Sequence, residues 1–264
     1  MGSQRVVRDA VIVDAVRTPF GRRAGSLSHW HPVDLAAETL TALADRVGVD
    51  PAVVDDVIMG CVMQVGEQGT NIARNAVLAT EWPEHIPGTT IDRQCGSGQQ
   101  AVHFAAQGVM AGAYDVAIAS GVEAMTRIPM GSSTADGRYG FPFGPSVSAR
   151  YAERGGLVPQ GEAAEMIADR WGISREEMDE YGLLSQQRAS RALREGRIDP
   201  EIISVSGDDG AAITTDGGVR ETSMAELAQL APAFRPDGRD TAGNASQITD
   251  GAASVLLMYA ERAA

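Results

Sequence analysis

The sequence predicts an α/β fold with a largely parallel or mixed sheet. Two observations carry this: β-branched apolar runs alternate with segments of helical spacing, and turn residues separate them. "DAVIVDAVRTPFG" (Asp9 to Gly21) begins as a strand and ends in a Pro/Gly loop. "PVDLAAETLTALADRVG" then sets Leu35, Leu40, Leu43 and Val47 at roughly helical spacing, with Gly48 as the stop. "VDDVIMGCV" reads as a second buried strand and "NIARNAVLAT" as a short helix. "TTIDRQCGSGQQAV" (Thr89 to Val102) is a strand, a turn and the start of a helix that runs to about Gly112. "YDVAIASGVEAM" supplies the next strand.

The texture changes at Thr126. "RIPMGSSTADGRYGFPFGPSVS" is rich in Gly, Pro, Ser and aromatics, and is expected to be irregular. Two helices follow, "GEAAEMIADRWG" and "SREEMDEYGLLSQQRASRALREG", the second opened by a capping box of Ser174 and Glu177. Arg188, Arg191, Arg194 and Arg197 are expected on its solvated face. After another loop come the short helix "SMAELAQL" and a final small-and-apolar strand, Ala252 to Met258. That strand is of the same kind as the early ones. The expected organisation is therefore one α/β domain, 1–125 with 246–264, interrupted by an insertion, 126–245.

Composition narrows the function. The 264 residues are 44% hydrophobic and 22% charged, enough to bury a substantial core. A net charge of −13 argues against broad nucleic-acid or anionic-membrane binding. All 22 basic residues are arginine, which excludes a Walker A lysine and a pyridoxal Schiff base. No run is long enough to cross a bilayer and no basic-then-apolar leader is seen, so a cytoplasmic protein is the expectation. The 2 cysteines make neither a disulfide framework nor a metal-type spacing.

Each cysteine therefore needs its own reason. Cys95 falls at the expected amino end of a helix, where free N–H groups and the helix dipole favour a thiolate. Gly96 and Gly98 leave room for a ligand and are expected to absorb the turn's unusual dihedrals. A thiolate there can form a thioester while a backbone N–H holds the oxyanion. Two alternatives stay open: a small cysteine that packs a tight turn, and a dinucleotide-binding turn, since "GSGQQA" fits that glycine pattern. For the dinucleotide reading, Glu123 is the acidic residue that follows the next strand. Cys61, among apolar neighbours, is expected to pack.

"DAVRTPFGRRAGSL", "RQCGSGQQAVHFAAQGVMAGAYDVAIASGVEAMTRIPM", "WGISREEMDEYGLLSQQRASRAL" and "LAPAFRPDGRDTAGNASQITDGAASVLLM" together resemble the thiolases, from about Val7 to Arg262. Those are acetyl-CoA acetyltransferases and 3-ketoacyl-CoA thiolases of fatty acid metabolism, including β-oxidation. The resemblance implies a thiolase-like mixed sheet covered by helices, with an inserted α-rich loop domain that covers CoA. It implies that Cys95 is the acyl-accepting nucleophile, that CoA and acyl-CoA are substrates, and that no cofactor is tightly bound. It places Arg220 beside the adenine nucleotide portion, Phe234 and Ala242 against the pantetheine arm, and Ser246 in hydrogen bonding to it. It also implies a homodimer or homotetramer.

Two departures stand out. Where many biosynthetic thiolases carry His-Met-Gly, this sequence has Pro159, Gln160 and Gly161, which leaves acyl-chain preference open. The family's Asn-Glu-Ala-Phe segment, its Gly-His-Pro histidine and its Cys-Gly-Gly-Gly cysteine belong to a second half, and none of them occurs here. The expectation is that these residues act only when completed, by more chain or by a separate C-terminal half. The alternative is a non-catalytic half-subunit that binds CoA esters or serves assembly.

Overall fold

Alternation along the central strands decides the layers. The structure is a computed structural model and describes residues 8–264; residues 1–7, where the expected first domain begins, lie outside the described residues. Its strands and helices run β1 (Ala10–Arg17), β2 (Gly21–Arg22), α1 (Pro32–Val47), β3 (Asp56–Gly60), α2 (Ile72–Ala79), β4 (Gly88–Ile91), α3 (Ser97–Ala111) and β5 (Val116–Ala124). Then come α4 (Pro145–Tyr151), α5 (Gln160–Trp171), α6 (Arg175–Arg194), β6 (Val205–Ser206), β7 (Ala212–Ile213), α7 (Met224–Leu227), β8 (Thr249–Tyr259) and α8 (Ala260–Ala263).

Two compact units result. Among the described residues the first comprises 8–133, Pro200–Gly217 and Ile248–Ala264; the second comprises Thr134–Asp199 and Gly218–Gln247. The first unit holds a mixed sheet in the order β1-β8-β5-β3-β4, with β2 also on β8. β3 runs parallel to β4 and β5, whereas β8 is antiparallel to β1 and β5.

Because side chains alternate across a strand, each central strand feeds both faces. Val57, Met59, Val116, Ile118, Leu256 and Met258 pack with α1 and α2 on one face. On the other, Ile58, Ala117, Ala119 and Leu257 meet Ala101, Ala105 and Val109 of α3. The second face is built of smaller side chains, so α3 lies close to the sheet. α1 forms as its pattern predicts: His31 caps it through Nδ1, Pro32 starts it, and Gly48 ends it at φ 72°.

The sequence did not signal the β6–β7 hairpin in Pro200–Gly217, which belongs with the first unit. Arg17 ties it there, with Asp216 at 2.7 Å and Glu201 at 2.9 Å. The second unit is helical. Ser174 and Glu177 form the expected capping box of α6, and Ser223 caps α7. The segment expected to be irregular holds the start of α4, at Pro145. No helix among the described residues is long and apolar enough to cross a membrane.

Candidate active site

In the first unit, β4 ends at Ile91 and α3 begins at Ser97, so Cys95 lies on the turn between strand and helix. It is exposed and not in a disulfide. α3 has no side-chain cap at Gly96 and no acidic residue in its first turn. The positive end of its dipole is therefore left for a ligand or for the thiolate itself.

The expectation that glycine absorbs unusual dihedrals here is corrected. Gly96 sits at φ −105°, which any residue adopts; Gln94, at φ 45°, takes the left-handed conformation. Its N–H donates to Asp92 Oδ1 at 2.6 Å, and its carbonyl accepts from the Ser97 N–H at 3.1 Å and the Ser97 hydroxyl at 2.7 Å. The same hydroxyl accepts from the Arg93 N–H at 2.9 Å. Buried Ser97 thus stitches both sides of the turn, a role its place in "CGSG" did not reveal. Space is open at Gly98, where an added Cβ would meet nothing within 4 Å.

The sheet sets the height of this turn. A Cβ on Gly60, the last residue of β3, would lie 2.4 Å from the Gly98 nitrogen and from the Ser97 carbonyl carbon. Only a glycine lets the helix start rest on the strand end. Cys61 follows β3 directly, at the strand's end instead of within it, and is 1% exposed. Burial, with Glu123 and Asp92 adding repulsion, pushes its thiol up to about 12. Glu123 is held by its own chain. Its carboxylate accepts from the Val62 N–H at 2.8 Å, the Met63 N–H at 3.3 Å and Gln68 Nε2 at 2.7 Å. These bonds commit Glu123 to holding the segment that follows β3.

Arg220, Phe234, Ala242 and Ser246 all fall in the second unit, and all are exposed. The structure brings two of them into contact, since Arg220 donates to the Ala242 carbonyl at 2.7 Å. The Arg220 N–H also donates to Gln186 of α6 at 3.0 Å. Phe234 lies over Gly161, where an added Cβ would come within 2.1 Å of the ring. Gly161, the position of this segment that matches the family's His-Met-Gly, thus seats Phe234. Ala242 stands in a tight turn. Asn244 Oδ1 accepts from the Thr241 N–H at 2.8 Å, and Asn244 Nδ2 donates to Asp179 at 2.8 Å. Asp179, 2% exposed, is itself held by Arg175 at 2.6 Å. Among the described residues, no group of three or more His, Cys, Asp or Glu is placed to hold a metal.

Residues 10–261 match the family described as Thiolase, N-terminal domain. The chain belongs to the thiolase family. It is 46% identical over 259 residues to a steroid 3-ketoacyl-CoA thiolase, FadA6, of Mycobacterium tuberculosis, covering 97% of this chain and 63% of that relative. It is 45% identical over 264 residues to a 3-ketoacyl-CoA thiolase of Hahella chejuensis, covering 97% and 65%. Among solved thiolase-family structures, the acetyl-CoA acetyltransferase of Bacillus anthracis superposes with a TM-score of 0.83 at 36% identity, covering 97% of this chain and 67% of that one. The chain thus spans less than two thirds of the length of these two thiolase relatives.

Proposed function

We propose that these residues supply the nucleophile and the CoA-binding surface of a thiolase that transfers acyl groups by a ping-pong route through Cys95. The observation that carries this is an exposed cysteine at the uncapped amino end of α3, in a chain of the thiolase family. In acyl transfer from acetyl-CoA, the Cys95 thiolate attacks the carbonyl carbon and a new C–S bond forms. The bond to the CoA sulfur breaks, and CoA leaves as a thiolate that takes up a proton. In thiolysis, Cys95 attacks the 3-keto carbon, the bond between C2 and C3 breaks, and the released carbanion is protonated to acetyl-CoA. A second CoA thiol then takes the shortened acyl group from Cys95. Backbone N–H groups at the start of α3 are suited to hold the oxyanion in both cases. Arg220, Phe234, Ala242 and Ser246 are assigned to CoA itself, with CoA and acyl-CoA as substrates and no resident cofactor.

The test is mass spectrometry of the protein after incubation with acetyl-CoA. The expected result is one added acetyl group on the peptide that contains Cys95, absent in Cys95→Ser. CoA binding without acylation would instead favour a non-catalytic half-subunit that binds CoA esters.

A further inference from the structure

The loop that carries Phe234 is closed on itself. Pro232 and Thr241 pair as an isolated antiparallel bridge, and the Ala233 N–H donates to the Asp240 carbonyl at 2.8 Å. Inside this closure lies a carboxylate from α5. Glu165 is 0% exposed, and its Oε1 accepts from the Arg239 N–H at 2.7 Å and the Asp240 N–H at 2.8 Å. Its Oε2 has no hydrogen-bond partner and stands 3.7 Å from Arg235. Gly238 gives the carboxylate its place, since a Cβ there would come within 2.3 Å of Oε1.

Burying a carboxylate is costly unless it is paired and hydrogen-bonded. Here the acid is spent on two backbone N–H groups of a surface loop, not on α5 itself. The loop's cations are arranged to tolerate it. Arg235 faces Glu162 and Asp169 of α5 as well, and Arg239 pairs with Asp169 at 2.6 Å. Phe234 is on one limb of the closure and Ala242 directly follows the other. Fixing residues 239 and 240 therefore fixes where both of them stand.

We propose that Glu165 is a positioning residue for CoA: its buried Oε1 holds the 232–241 loop so that Phe234 and Ala242 are preset for the pantetheine arm. The assignment rests on the proposed CoA reading of those two residues. Its energetic sense is preorganisation, because a loop ordered before binding does not have to be ordered by the ligand.

The test is calorimetric titration of the intact protein with CoA, for wild type, Glu165→Ala, Glu165→Gln, Gly238→Ala and Phe234→Ala. Circular dichroism checks the fold, and the iodoacetamide rate at Cys95 reports on the first unit. Glu165→Ala should weaken CoA binding about tenfold or more, whereas Glu165→Gln, which keeps the acceptor oxygen, should stay within about threefold. Gly238→Ala, which keeps every charge but displaces the carboxylate, should match Glu165→Ala and decides the matter if that variant does not fold. Alkylation of Cys95 should not change in any of them. Folded Glu165→Ala or Gly238→Ala with CoA affinity near wild type, alongside weakened Phe234→Ala, would overturn the role of Glu165 and leave the CoA reading standing. Equal loss in Glu165→Gln and Glu165→Ala would also overturn it. Absence of CoA binding in wild type would overturn the underlying reading and this proposal with it.

Discussion

The two cysteines differ in chemistry because of where the backbone puts them, and a single reagent separates them. Cys61 is buried with its thiol near 12, so at pH 8 only about 10⁻⁴ of it is thiolate. Cys95 is exposed on an uncapped helix start. Iodoacetamide at pH 8 is expected to modify Cys95 alone, read by peptide mass spectrometry; comparable labelling of Cys61 would show that the first unit opens readily. Gln94 offers a second check. Its φ of 45° suits a flexible or small polar residue but not a β-branched one. Gln94→Val should cost about 1–2 kcal/mol in urea unfolding and slow Cys95 alkylation. The place of Cys95 on a turn between strand and helix was legible in the sequence because the turn and its helix are contiguous. Gln94 was not, since nothing in the letter Gln announces a positive φ. Glu165 was equally hidden, because its burial comes from a loop that lies about 70 residues further along the chain.

At the scale of elements, the contact between β3 and α3 makes a sharp prediction. Gly60→Ala would drive a Cβ to 2.4 Å from backbone that cannot yield as a flexible side chain would. The helix must lift, at a cost of about 3 kcal/mol or more by denaturant unfolding, and Cys95 moves with it. The 232–241 loop makes a prediction about pH. Burial, with repulsion from Glu165, raises the Asp240 carboxyl above its ordinary value of 3.8. In the window between 3.8 and that raised value, the folded state holds a proton that the unfolded chain has released. Stability from this group is therefore present below 3.8 and is lost as pH rises through the window. Asp240→Asn should flatten that slope in thermal unfolding measured across acidic pH; an unchanged slope would assign it to other carboxylates. The long elements were legible where local signals agree, as in α1 with its apolar spacing and terminal glycine, or in α6 with its capping box. The short pieces β2, β6, β7 and α4 were not. Each is too short for a period to show, and β6–β7 depends on distant Arg17.

At the scale of the whole chain, the question is whether these residues contain a complete acyl-transfer apparatus. A cysteine nucleophile needs a partner that takes and returns its proton, and the 4 histidines are the natural candidates. His31 spends Nδ1 on capping α1, His85 lies 3.3 Å from the Ala52 carbonyl, and His29 packs beside the Trp30 ring. His103 is on α3 itself, six residues after Ser97 and thus about 9 Å along the axis. The sequence carries neither the family's Gly-His-Pro nor its Cys-Gly-Gly-Gly motif, and the chain spans 63% and 65% of two relatives. Residues 1–264 alone are therefore expected to bind CoA and to acylate Cys95 at most once per chain. Turnover should lie about 100- to 10,000-fold below that of the same residues supplied with a segment bearing the histidine and the second cysteine. Release of CoA from acetyl-CoA, followed in both preparations alongside the mass of the Cys95 peptide, makes the comparison. Equal multiple turnover in the two would place the base within these residues, and His103→Ala would then be the first variant to measure.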